Sequence, residues 1–69
     1  IDVAAKQEIY RLMNDLTKQG ISILMISSDM EELLGMSDRI VVMNEGAVAG
    51  ELTKDQFSQV AVMELASSN

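Results

Sequence analysis

A few polar side chains stand where an α/β protein could do chemistry. Ser28 and Asp29 closely follow residues 21–26, an apolar run of strand length, and α/β folds build their sites at the carboxyl ends of strands. Glu32 comes three residues after Asp29, so the two carboxylates could act as a pair. Each residue also has a simpler use, because serine caps helices and acidic side chains are favoured in a first helical turn. From the residues alone, both interpretations stay open.

The amino-acid composition excludes several kinds of site and partner. The 69 residues contain neither cysteine nor histidine, so disulfides and the usual zinc ligands are excluded. Carboxylates could still hold a metal, but they do not follow the spacing of an EF-hand loop. The net charge is −6, from 11 acidic and 5 basic residues. This acidic balance argues against nucleic acid and against an anionic membrane surface as direct partners.

Hydrophobic periodicity predicts a first helix from an N-cap at Asp2 to a stop at Gly20. Its apolar stripe consists of residues at helical spacing, namely Ala5, Ile9, Leu12, Met13 and Leu16. Residues 21–26 follow at once and are rich in β-branched side chains. Such a pattern is typical of a strand that is buried on both faces of a parallel sheet. Ser28 and Glu31 then match a capping box, which predicts a second helix from about Asp29 to Gly35.

The second half of the sequence predicts a β-hairpin and a last helix. Residues 39–43 and 47–52 read as two strands around an Asn44-Glu45-Gly46 turn. Thr53 and Gln56 form another capping pair ahead of the last helix. The apolar face predicted for that helix comprises Phe57, Val60, Ala61 and Leu65.

The predicted buried strand has too few neighbours in the sequence. A chain of this length forms at most one small domain, and its core is marginal. The three predicted helices and the hairpin are few elements to cover a strand that is buried on both faces. We therefore expect further sheet strands upstream, in a longer protein from which this chain was cut. Its first residue, Ile1 instead of Met, points the same way.

Three stretches, in this order, resemble ATP-binding-cassette (ABC) ATPases. Residues 1–10, IDVAAKQEIY, are similar to the end of the D-loop and the helix after it. Residues 26–32, ISSDMEE, look like the switch segment V-T-H-D-x-x-E, and residues 36–46, MSDRIVVMNEG, match the family's A-D-R-I-x-V-M-x-x-G hairpin. The resemblance implies a P-loop, RecA-like α/β domain of which residues 1–69 form the C-terminal portion. It also implies a parent enzyme that hydrolyses ATP with Mg²⁺.

Serine at the switch position indicates which subgroup of the family the sequence resembles. The family's switch histidine falls on Ser28, and the I-S-S-D-M pattern is similar to the second cassette of tandem ATPases in monosaccharide importers, ribose-type importers above all. This implies a second ABC cassette and transmembrane permease subunits as partners. It also implies a peripheral location on the cytoplasmic face of the bacterial inner membrane.

The resemblance gives two residues a role. Ser28 would occupy the catalytic switch position in a degenerate form, because a hydroxyl is shorter than an imidazole and cannot become cationic. Asp2 would be the D-loop aspartate, which in the family lies at the interface between two cassettes and couples their nucleotide sites. Helix capping remains the simpler alternative for each. In residues 1–69 there is no G-x-x-x-x-G-K-[ST] loop, no signature motif and no Walker B strand, so we predict that the isolated chain neither binds ATP tightly nor hydrolyses it.

Two other interpretations compete with the transport ATPase. The chain could be a non-catalytic α/β interaction or regulatory module. It could also belong to a receiver-like domain, but no phosphoacceptor aspartate at a strand end supports that. A piece of a larger sheet should self-associate through unpaired strand edges, whereas a natural module should be monomeric.

Overall fold

The computed structural model describes residues 2–67. Its elements, in chain order, are α1 (Val3–Lys18), α2 (Met30–Met36), β1 (Arg39–Asn44), β2 (Ala47–Thr53), a 3-10 turn (Lys54–Gln56) and α3 (Gln59–Ala66). Helices and strands are both present, as the α/β prediction requires. Within the described residues, none of the helices combines the length and apolarity needed to cross a membrane.

Helix α1 begins and ends where the sequence predicts. The Asp2 carboxylate caps it by accepting a hydrogen bond from the amide of Ala5 at 2.9 Å. Gly20 has a φ of 90° just beyond the C-cap, a left-handed conformation that glycine adopts without strain. None of the residues of α1 is buried, so its apolar stripe finds little cover among residues 2–67.

Residues 21–26 do not form the predicted strand. Within the described part of the chain, the only sheet is the β1–β2 hairpin, and residues 21–26 belong to no element. Leu24 and Ile26 are each 92% exposed. The reason is physical: a strand exists only by exchanging backbone hydrogen bonds with a neighbouring strand. The side chains here are those of a strand, but no strand of residues 2–67 lies beside the segment.

The hairpin forms close to the predicted positions. Glu45 and Gly46 in the turn have φ values of 51° and 79°, as a two-residue turn between twisted strands requires. The antiparallel register runs from Arg39 opposite Thr53 to Asn44 opposite Ala47. The register shifts between Val42 and Met43, and a bulge of this kind disrupts the ladder locally and increases its twist.

A small core joins the hairpin to α3. Its buried side chains are Ile40, Val42, Leu52 and Val62. The face predicted for the last helix is therefore wrong in part, because Val62 is 5% exposed and Val60 is 66% exposed. The Thr53–Gln56 pair closes the 3-10 turn, and α3 begins later, after its own N-cap Ser58. Ala61 and Leu65 of the predicted face, and Phe57 ahead of the helix, do pack against the core.

Gly50 leaves room for the Leu65 side chain where β2 packs against α3. A Cβ atom at this position would lie 2.7 Å from the Leu65 Cδ2 atom. We expect Gly50→Ala to lower the free energy of unfolding by about 1–2 kcal/mol, the usual cost of overpacking a core. Urea denaturation followed by circular dichroism measures this change.

Gly35→Ala is the matched control for Gly50→Ala. Gly35 lies within α2 and has open space around its Cα. Alanine there should raise stability by roughly 0.5–1 kcal/mol through helix propensity. Equal shifts for the two variants would show that Leu65 does not press on Gly50.

Candidate functional site

A cluster of polar side chains joins α1 to the start of α2. The Tyr10 hydroxyl donates a hydrogen bond of 2.5 Å to Oε2 of Glu32. One helical turn earlier, the Lys6 Nζ atom lies 3.7 Å from Oδ2 of Asp29. Tyr10, Lys6 and Glu32 are partly buried, and Asp29 is exposed. We call these four residues, with Ser27, the switch cluster.

Local sequence rules position both sides of the switch cluster. Lys6 and Tyr10 are four residues apart and therefore lie on one face of α1. On the other side, Asp29 caps α2, and its Oδ1 atom accepts from the amides of Glu31 at 3.0 Å and Glu32 at 3.3 Å. Carboxylates in a first turn also complement the positive end of the helix dipole. The geometry of each helix therefore determines where these side chains are placed, and the contacts between α1 and α2 follow from that placement.

Ser27 ties the segment before α2 into the same cluster. Its Oγ atom accepts a 2.9 Å hydrogen bond from the amide of Asp29, and the nearby Ser27 hydroxyl lowers the pKa of the Glu32 carboxyl. Ser28 therefore has a fixed residue on each side. The Ser28 side chain itself is exposed to solvent, although the backbone on both sides of it is held by hydrogen bonds.

The switch cluster shifts the pKa of two groups. The hydrogen bond to Glu32 raises the pKa of Tyr10 to about 12, with desolvation and the charges of Glu32, Asp29 and Glu31 adding to it. Hydrogen bonds from Ser27 and Tyr10 lower the pKa of Glu32 below its ordinary 4.5, with help from the charge of Lys6.

These shifts define the pH window of the contact. A lowered carboxyl pKa stabilises the fold above its ordinary value of 4.5 and loses this contribution as the pH falls through the lower value. A raised tyrosine pKa contributes fully below 10.0 and is lost as the pH rises through about 12. The Tyr10–Glu32 contact is therefore complete across the neutral range.

The structure decides some of the alternatives for the predicted site residues. Asp29, not Ser28, is the N-cap of α2, so the interpretation of Ser28 as a cap is wrong. Asp2 is the N-cap of α1, as the simpler alternative for it predicts. Asp29 and Glu32 do not work as a carboxylate pair, because Asp29 caps the helix and Glu32 accepts from Tyr10.

Sequence reasoning missed Tyr10, Lys6 and Ser27. Tyr10 and Glu32 are 22 positions apart, so their contact leaves no periodic signal. The one available hint was the four-residue spacing of Lys6 and Tyr10 on the polar side of α1. Within residues 2–67, no group of three acidic side chains converges as a metal site would require.

Comparison with known proteins shows that the chain is similar to one part of several sugar-import ATP-binding proteins. It is 65% identical over 68 residues to the ribose import ATP-binding protein RbsA 2 of Streptomyces coelicolor. The aligned residues make up 99% of this chain and 13% of that protein. The ribose import ATP-binding protein of Oceanobacillus iheyensis is 55% identical over 67 residues, 97% of this chain and 14% of that protein. A putative ribose/galactose/methyl galactoside import ATP-binding protein of Rhizobium etli is also 55% identical.

The chain thus spans about one seventh of the length of these relatives. No family model matches the chain, and no solved structure does. The relatives confirm the resemblance to ATPases of ribose-type ABC importers that was read from the three sequence stretches.

Proposed function

We propose that this chain is the C-terminal portion of a P-loop ATPase domain that powers the import of a ribose-type monosaccharide. In this proposal it supplies the D-loop end, the switch segment, a hairpin and a last helix. The nucleotide is bound by other parts of the parent enzyme. The observation that carries the proposal is 65% identity across 99% of the chain to a ribose import ATP-binding protein.

The exposed run at residues 21–26 supports the same proposal. Leu24 and Ile26 leave 92% of their surfaces in water, and each such side chain gains roughly 1.5–3 kcal/mol on burial. A parallel sheet in the parent would pair the backbone of this segment and cover both of its faces. Residues 27–29 would then stand at the carboxyl end of a central strand, where α/β sites lie.

Within this function, Ser28 occupies the switch position and Asp2 the interface with a second cassette. An exposed Ser28 on a constrained segment can donate one hydrogen bond to a phosphate oxygen or to water, but it cannot supply positive charge. Asp2 can cap α1 and still face a second cassette, because its side chain is exposed.

Among the described residues, no three acidic side chains come together to hold Mg²⁺. ATP with Mg²⁺ would be bound by the rest of the parent. Its permease subunits would hold the ATPase peripherally at the cytoplasmic face of the inner membrane.

A chimera tests the proposal. This chain replaces the 68 matching residues of the Streptomyces coelicolor relative, and ATP hydrolysis is measured beside the unchanged host. At 65% identity most differences fall on the surface and change little, so we expect a rate within about threefold of the host.

A host in which a Gly-Ser linker of equal length replaces the matching residues gives the baseline for the rest of the protein. The chimera should exceed this baseline clearly. A folded chimera that is no more active than the linker-bearing host would rule out the proposed function.

A further inference from the structure

The switch cluster connects the two elements that carry the proposed site residues. Asp2 caps α1, and Ser28 precedes the cap of α2. Between these helices the cluster provides one hydrogen bond, Tyr10 to Glu32, and one ion pair, Lys6 to Asp29. These are the side-chain links that the structure gives between α1 and the start of α2.

The rest of the α1–α2 contact is weak. Neither helix contains a buried residue, so apolar packing does little to fix one helix against the other. An exposed ion pair such as Lys6–Asp29 is worth little alone. A short hydrogen bond from a hydroxyl to a carboxylate is stronger and directional, so the Tyr10–Glu32 contact dominates the alignment.

We propose that Tyr10 and Glu32 are positioning residues that lock the switch segment, and with it Ser28, to the helix that Asp2 begins. This inference rests on the proposed function, because the position of Ser28 matters for catalysis only in a parent enzyme that hydrolyses ATP. A change at the interface that tilts α1 would be passed through Tyr10 to Glu32 and Ser27. From there it would move Ser28 relative to bound nucleotide.

The first test is optical and needs only the 69-residue chain. Tyr10 is the single tyrosine, and tryptophan is absent, so absorbance near 295 nm reports this residue alone. In the unchanged chain Tyr10 should titrate near pH 12. Glu32→Gln removes the charged acceptor and should return the midpoint toward 10.

Glu31→Gln is the matched control in this titration. It removes the same charge one position away and leaves the hydrogen bond in place, so it should move the midpoint far less. Equal midpoints for the two variants would overturn the lock, because Tyr10 would then sense only the general field of the acidic residues.

The second test is kinetic and uses the chimera. Tyr10→Phe removes only a hydroxyl group, and it should lower kcat for ATP by roughly 10- to 100-fold, the cost of misplacing a group that acts in the transition state. KM for ATP should stay nearly constant, because the nucleotide is gripped elsewhere. Tyr10→Phe with Glu32→Gln should cost no more than either change alone.

The outcomes separate the two proposals. If the unmodified chimera hydrolyses ATP but Tyr10→Phe matches Glu31→Gln in kcat, the lock is wrong and the proposed function stands. If the unmodified chimera is no better than the linker-bearing host, the proposed function fails. The titration of Tyr10 still decides whether the contact exists.

Discussion

Leu52→Ala should unfold a large share of the molecules, whereas Leu24→Ala should leave stability unchanged. Leu52 is 8% exposed and belongs to a core of four buried side chains, while Leu24 is 92% exposed. Truncating a buried leucine costs about 2–5 kcal/mol, through lost transfer energy and the cavity left behind. A chain of this size has a total stability of roughly 3–10 kcal/mol, so one such change removes much of it.

Urea denaturation of the isolated chain, followed by circular dichroism, measures both variants. Because the same atoms are removed from the same residue type, the comparison isolates burial. If Leu24→Ala destabilised the isolated chain as much as Leu52→Ala, then residues 21–26 would be packed in the chain, and the core would lie elsewhere.

The elements that could be predicted are those decided by local rules. Asp2 and Gly20 set the ends of α1, and the Asn44-Glu45-Gly46 turn sets the hairpin. Each depends on backbone conformation or hydrogen bonds within a few residues. The residues that decide such features are neighbours in the sequence, so the features can be predicted from it.

The elements that were mispredicted depend on partners in space. Residues 21–26 have the composition of a strand, but no strand among the described residues pairs with them. The apolar face of α3 was predicted only in part, because Phe57, Ala61 and Leu65 pack against the core but Val62 is buried in place of Val60. Which valine is buried depends on how α3 packs against the hairpin, and the spacing of apolar residues along the chain does not decide this.

The candidate site shows the same division. The acidic residues before and within the first turn of α2 could be assigned to its N-terminus, and Asp29 is there. The cap itself moved from Ser28 to Asp29, because both residue types suit the position. The Tyr10–Glu32 contact follows from the approach of two helices, which no pattern of spacing encodes.

The backbone amides of residues 22–26 should exchange with solvent at very different rates in the two contexts. In the isolated chain this segment lacks a neighbouring strand among residues 2–67, so its amides should exchange nearly as fast as in an unfolded peptide. In the chimera, a central strand of a parallel sheet should exchange at least about 1000-fold more slowly, because exchange there requires opening of the sheet.

Hydrogen exchange read by mass spectrometry over residues 22–26, in the isolated chain and in the chimera, tests the central claim most directly. The amides of β1 and β2 serve as an internal control, since the hairpin pairs within the chain itself and should be protected in both contexts. We predict protection of residues 22–26 in the chimera alone. Fast exchange of these residues in both contexts, with β1 and β2 protected, would contradict their assignment to the sheet of a sugar-import ATPase.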